Sequence, residues 1–442
     1  MNDTARSLMV VHLDAPVAGR GSLWCTDGSA KPPFTTVAKV ISCYDDPPSL
    51  TSGLPCPNRK SSPANRHWLS LQCYGICSDI ISRGLPMRRL VVLLLVVAAI
   101  AATAWAARER LGEIAFSRAL EASYGRDATD DLEDGLHVIL CGTGSPLPDP
   151  ARSGPCTLVI AGEQVFLVDS GSGAGRRIGQ IGVSLGKIDA AFLTHFHSDH
   201  IDGLGEVLML RWASSGRKAA LPVYGPQGVE RVVAGFDTAY TADYGYRIAH
   251  HGADIMPRSG AGARANIITV DGPADKVVVY QREGVRVTAF QVDHKPIEPA
   301  LGYRFDYKGR SVVISGDTKP TKMVSAMCNG CDVLVHEVLN IDMVNRISAT
   351  ARSRGDVRIA KIMADTTNYH SSPVAVAGVA RRGKARMLVF THIVPRMPTR
   401  LLHPYYLRGV ADAYSGDVVM GEDGMRFSLP ARSKAIEQAS LL

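Results

Sequence analysis

Four residues able to ligate a metal fall inside six positions: His195, His197, Asp199 and His200, in the run Thr194-His195-Phe196-His197-Ser198-Asp199-His200. His195 and His197 alternate, so on an extended backbone both imidazoles leave the same side, while Asp199 and His200 turn toward a second direction. Imidazole and carboxylate donors together suit a divalent cation, and the split suggests two ions rather than one. A polar turn of merely hydrogen-bonded histidines is the competing reading. It is disfavoured because the chain has only 13 histidines in 442 residues, so such crowding is rare by chance.

The elements that must position this run follow a repeated design. An apolar strand at 190–193 delivers it, and strand-like 285–292 ends in Asp293-His294. A hairpin of 301–307 and 311–314 around Lys308-Gly309-Arg310 ends at Gly316-Asp317-Thr318. Residues 333–335 precede His336-Glu337, and 387–390 precede Thr391-His392. Ligand-type residues at the C-terminal ends of five apolar strands, with helices between, describe a layered α/β fold whose site collects along one edge. Upstream, a strand at 136–141 closes on Gly142-Thr143-Gly144, and a hairpin of 156–160 with 164–168 runs into Asp169-Ser170-Gly171. Glycines there allow backbone to approach the metal loop, and Asp169 either holds a ligand histidine or caps a helix. The domain spans 136–442, with a looser stretch at about 240–265 read as an inserted lid or arm. His250 and His251 are adjacent and point apart, so they suit substrate contact or plain surface better than a metal.

The first 107 residues read differently. Residues 1–86 hold scattered Pro, Gly, Ser and five of the nine cysteines without helical or strand periodicity, and disorder is expected. Met87-Arg88-Arg89 then opens an apolar run at 90–107 ending in small residues, the pattern of a secretory signal or a single membrane anchor at 87–107. Such signals begin chains, so 1–86 is expected to be a mis-assigned upstream extension. Export follows, to a periplasmic location or tethered to the inner membrane through 90–107. Residues 108–135 form a lead-in helix and an acidic linker. A net charge of +7 with dispersed basic residues does not by itself argue for nucleic acid. Cys328 and Cys331 lack the second CxxC of a zinc site, so a local disulfide or two core thiols is expected.

With these pieces in place, the chain from about residue 136 onward resembles the metallo-β-lactamase superfamily, in its ribonuclease Z and arylsulfatase-like branch. The resemblance implies an αββα sandwich of two mixed sheets flanked by helices. It implies that His195, His197 and His294 hold one ion, that Asp199, His200 and His392 hold the other, and that Asp317 bridges them. Zinc is the expected metal, with manganese as the other choice. His336-Glu337-Val338 and Tyr369-His370-Ser371-Ser372 resemble two further elements of the branch, implying that His370 protonates the leaving group while Glu337 orients it. Pro373, and Ile393-Val394-Pro395-Arg396 after His392, depart from the ribonuclease Z pattern. The 240–265 stretch sets Arg247, Arg258 and Arg264 against Asp243 and Asp254, a weak charge for gripping tRNA.

The expectation is therefore a binuclear metal-dependent hydrolase of a small phosphoric or sulfuric ester. A metal-bridging hydroxide would attack, and Asp199, Glu337 and His370 would do the catalytic work. Ribonuclease Z-like processing of RNA 3′ ends is the alternative, with nucleic acid the less favoured partner. A non-catalytic binding protein on the same fold is the third reading, and the branch often forms homodimers.

Overall fold

The computed structural model describes residues 86–270 and 276–442. Apart from Pro86, the stretch expected to be disordered lies outside them. A helix at Met87–Ala106 has 20 residues, mean hydropathy 2.3 and no buried side chain, so by length and composition it suffices to cross a bilayer or to serve as a leader. A second helix, Arg108–Ser123, also buries nothing.

Two mixed sheets carry the rest. The first has eight strands in the order β15-β14-β1-β2-β3-β4-β5-β6, where β1 is Gly135–Gly142, β2 Cys156–Ala161, β3 Gln164–Val168, β4 Ile188–Phe192, β5 Leu221–Gly225, β6 Ala263–Ile267, β14 Met425–Pro430 and β15 Glu437–Ser440. The second runs β13-β12-β11-β10-β9-β8-β7, with β7 Lys276–Arg282, β8 Val285–His294, β9 Ile297–Tyr307, β10 Arg310–Ile314, β11 Val333–Leu339, β12 Met387–Val394 and β13 Asp417–Met420. β3 to β6 are parallel, as are β10 to β13, and the remaining pairings are antiparallel. The parallel strands β3 and β11 are buried at every position because helices cover their outer faces. This is the expected αββα sandwich.

Apolar side chains fill three layers. Between the sheets, Phe192 is fully buried with ring centroids of Phe166, Tyr224, Tyr303 and Phe305 at 5.0–5.9 Å. Outside the first sheet lie helices Ala174–Ile181, Leu204–Ser215 and Val229–His251. Outside the second lie Lys322–Cys328 and Pro373–Gly383.

Residues 240–265, expected as a lid or arm, comprise the second half of Val229–His251, a 3₁₀ turn and the parallel edge strand β6. Tyr244, Met256 and Ala261 pack with Trp212, whose indole N–H donates to the Pro257 carbonyl at 2.8 Å. The stretch is built into the sandwich. The long helix buries only Val229, Val233 and Tyr244, so no apolar stripe shows that the helix expected after Gly228 runs on past residue 240. Cys328 and Cys331 form the local disulfide. Cys141 and Cys156, on the neighbouring strands β1 and β2, form a second that was not foreseen.

Phe192→Ala should lower stability by about 3–5 kcal/mol, read as a shift of the urea midpoint, with Phe192→Leu costing less. An unchanged midpoint would mean that the aromatic cluster does not hold the sheets together.

Candidate metal centre

Parallel strands release their chains at one edge of the sandwich, and the polar residues expected there do converge. The loop after β4 carries His195 and His197, and the single turn Ser198–Ile201 carries Asp199 and His200. His294 ends β8, Asp317 follows β10, and His392 lies in β12. Asp317, His195, His200, His294 and His392 are each no more than 2% exposed.

The donor atoms sort into two groups that share one oxygen. His195 Nε2 and His197 Nδ1 are 2.9 Å apart, and His294 Nε2 lies 3.3 Å from the latter. On the other side, His392 Nε2 is 3.2 Å and His200 Nε2 3.7 Å from Asp199 Oδ2. Asp317 Oδ2 stands between, 3.8 Å from His195 and His294 Nε2, 3.3 Å from His200 Nε2 and 3.4 Å from His392 Nε2. Ligands about 2.0–2.1 Å from a tetrahedral ion lie about 3.3 Å from one another, so this spacing fits divalent cations. Buried His200 Nε2 and Asp317 Oδ1 have no hydrogen-bond partner among the described residues, as donors awaiting a cation would.

Neighbouring groups fix the donors. Asp169 adopts a left-handed backbone, φ 57°, and accepts from the Thr194 N–H and hydroxyl at 2.8 and 2.9 Å while its Oδ2 meets His200 Nδ1 at 2.8 Å. It is thus the residue that holds a ligand-type histidine. His294 Nδ1 is 3.0 Å from the Tyr369 carbonyl, which directs Nε2 inward. A side chain on Gly171 would strike the Asp199 carbonyl at 2.3 Å, so only glycine lets these loops meet. His392 also has positive φ, 46°, in the sparsely populated left-handed region that clusters at functional sites.

Glu337 and His370 form the expected pair. Glu337 Oε2 is 3.3 Å from His370 Nδ1, and its Oε1 accepts from the Ser371 N–H at 2.8 Å. His370 lines a cavity of about 320 Å³ together with His197, Asp199, Asp317 and His392. The opposite wall is apolar: Leu147, Leu339, Ile362, Met363, Tyr369 and Val394. Tyr369 and Val394 adjoin motifs seen in the sequence, but nothing there marked Leu147, Leu339, Ile362 and Met363, which are ordinary apolar types drawn from distant elements. His250 and His251 are exposed at the end of their helix and line no part of this cavity.

Charge in the cluster is balanced internally. Burial opposes ionisation of Asp317, yet His392 and His200 outweigh it and hold the carboxyl well below its usual range. Burial likewise opposes charging of His392, but Asp317 and Asp199 raise it to about 9, and Asp317 with Asp169 raises His200 well above the usual imidazole value. His195 is pushed well below that value by burial and by His200.

A family model described as Beta-lactamase superfamily domain matches residues 166–393. The chain belongs to the metallo-β-lactamase superfamily and is a metal-dependent hydrolase acting on ester bonds. Within the superfamily it falls in the ribonuclease Z branch. Ribonuclease Z of Mycobacterium avium (strain 104) is 38% identical over 300 residues, 67% of this chain and 100% of that protein. Ribonuclease Z of Mycobacterium bovis (strain BCG / Pasteur 1173P2) is 37% identical over 299 residues, 67% and 99% of the two chains. The crystal structure of human tRNase Z, short form, aligns at 22% identity with a TM-score of 0.45, covering 66% of this chain and 99% of that one.

Two outcomes follow for metal uptake. Without metal, His200 and His392 carry protons at neutral pH, and a cation must displace them. Uptake should therefore release protons, and affinity should rise with pH up to about 9. Calorimetric titration with Zn²⁺ in buffers of different ionisation enthalpy tests this, and identical heats in all buffers would refute it. Asp317→Ala should lower bound metal per chain, measured by elemental analysis, while unchanged stoichiometry would remove Asp317 from the ligand set.

Proposed function

We propose that the protein hydrolyses phosphodiester bonds of RNA near a 3′ end, in the manner of ribonuclease Z, with two divalent ions, zinc foremost and manganese as the other choice. The observation that carries this reading is the joint geometry of the seven donors and the His370–Glu337 pair at one cavity, in a chain that aligns with whole ribonuclease Z proteins. His195, His197 and His294 would hold one ion, Asp199, His200 and His392 the other, with Asp317 shared. Ions held there lower the pKa of water and neutralise charge gathering on the phosphoryl oxygens. Asp199, within reach of both His392 and the cavity, orients the attacking water. His370 meets Glu337 through Nδ1, which leaves Nε2 to donate a proton to the departing ribose oxygen. Glu337 fixes that ring orientation.

A small phosphoric or sulfuric ester is the second reading, favoured by the cavity's size and its apolar wall of Leu339, Ile362, Met363 and Val394. It accords with export, which we propose on separate grounds. Arg88 and Arg89 sit in the first turn of the helix Met87–Ala106, ahead of its apolar run, and the disulfides Cys141–Cys156 and Cys328–Cys331 suit an oxidising compartment. Native protein found in the cytosol with Cys141 and Cys156 open to alkylation would overturn that placement.

Turnover of precursor tRNA, bis(p-nitrophenyl) phosphate and an aryl sulfate, compared side by side, separates the two substrate readings. Cleavage of the precursor at its 3′ side is expected; turnover of the aryl esters alone would transfer the conclusion to the small ester. His370→Ala should keep its metal and lose about 10²–10⁴-fold in rate on RNA, with a much smaller loss on the p-nitrophenyl diester, whose leaving group needs no proton. Equal losses on both substrates would deny His370 the role of acid.

A further inference from the structure

A second cavity lies away from the metal centre, where the edge strands β6 and β7 of the two sheets face one another. It is a groove of about 940 Å³, at the upper end of the range for ligand sites. Asp189, at the start of β4, lines it, while the metal loop follows the end of that strand. The six residue steps from Asp189 to His195, in the strand only as far as Phe192, bound the separation at about 20 Å.

Its charges are unevenly matched. Arg217 is paired with Asp189 at 3.0 Å and Arg282 with Glu283 at 2.9 Å. Among the described residues, Arg211, Lys218 and Arg264 have no carboxylate within 4.0 Å, and the lining's remaining acid is Glu163. Arg211 is the unusual member. It is 2% exposed, and its guanidinium donates to the backbone carbonyls of Ile188 at 2.8 Å and Ala219 at 3.3 Å. Burial and the neighbouring Arg217 lower its pKa to about 10, so it remains cationic at neutral pH. A buried cation without a paired anion is costly, and such sites are commonly completed by an anionic ligand.

Two aromatic rings accompany the cations. Tyr224 is braced by stacking on Phe192 at 5.0 Å, and Tyr280 by an edge contact to Phe166 at 5.1 Å with its hydroxyl donating to Gln164 at 2.6 Å. Both line the groove and are half-buried. Braced aromatic faces beside unpaired cations are the combination that binds single-stranded nucleic acid, in which phosphates alternate with stacking bases. Arg264 also supplies what the 240–265 stretch otherwise lacks, since Arg247 and Arg258 are taken up by Asp243 and Asp237.

We propose that the groove formed by Arg211, Lys218, Arg264, Tyr224 and Tyr280 is a second binding site for a single-stranded segment of the RNA substrate, remote from the scissile bond. It rests on the reading of the protein as an RNA phosphodiesterase. It adds a length requirement: RNA able to span about 20 Å engages both sites, and a dinucleotide engages one.

The test uses the full chain and a fluorescein-labelled single-stranded RNA of about 16 nucleotides, with binding measured by anisotropy after chelation of metal. Lys218→Glu with Arg264→Glu, both at exposed positions, should weaken binding at least tenfold. The slope of log affinity against log salt should fall by about one per lost contact, with hydrolysis of bis(p-nitrophenyl) phosphate unchanged. Tyr224→Ala should weaken RNA binding without changing the slope. Wild-type affinity and slope in the double variant, in a protein that cleaves precursor tRNA, would overturn the groove and leave the proposed function standing. A protein that neither binds nor cleaves RNA while hydrolysing the aryl diester would overturn both. Adenosine monophosphate or inorganic phosphate that saturates the groove while RNA does not would replace RNA by a small anion and defeat the proposal.

Discussion

A single buried carboxylate, Asp317, is the constraint to which the rest of the structure answers. It is 2% exposed, and one oxygen lies 3.3–3.8 Å from four imidazole nitrogens. An ionised carboxylate out of water costs several kcal/mol unless positive charge accompanies it. Here that charge must arrive as protons on His200 and His392 or as cations between the rings. The site is stable only when filled by one or the other, and this competition is the physical root of its appetite for metal.

Meeting that constraint requires both sheets. His195 and His200 come from the first, and His294, Asp317 and His392 from the second. Two cross-sheet hydrogen bonds keep the edges in register: the Leu301 N–H donates to the Thr194 carbonyl at 2.9 Å, and the Tyr303 hydroxyl to the Leu193 carbonyl at 2.6 Å. Tyr303 also packs against Phe192, so the aromatic core and the metal loop share one residue as their link. Packing between the sheets thereby becomes precision at the donors.

Much of the site could be read from the chain because parallel strands, buried on both faces, show as unbroken apolar runs, and a polar residue after such a run marks a strand end. That logic found His195 and Asp317 after β4 and β10, and Glu337 and His392 where polar residues break the apolar runs of β11 and β12, while His294 ends the antiparallel strand β8. It failed where position depends on partners distant in sequence. Leu339, Ile362 and Met363 are unremarkable until folding sets them around one cavity, and Cys141 finds Cys156 only because β1 and β2 pair. Arg211, which no motif singles out, is enclosed beside Ile188 and Ala219. The extent of the helix Val229–His251 past residue 240 is hidden for a related reason: with three buried side chains over 23 residues, its second half resembles a loose insertion.

The span of chain between the donors has a kinetic meaning. From His195 to His392 the polypeptide builds β5 to β11 and most of β12, and the outermost two donors belong to different sheets. No fragment that ends before β12 contains the whole set, so a chain emerging during synthesis cannot capture its ions in their final geometry. Contacts of such long sequence separation form late and slowly. The metal therefore selects finished molecules: it stabilises the completed sandwich and leaves its precursors unaided.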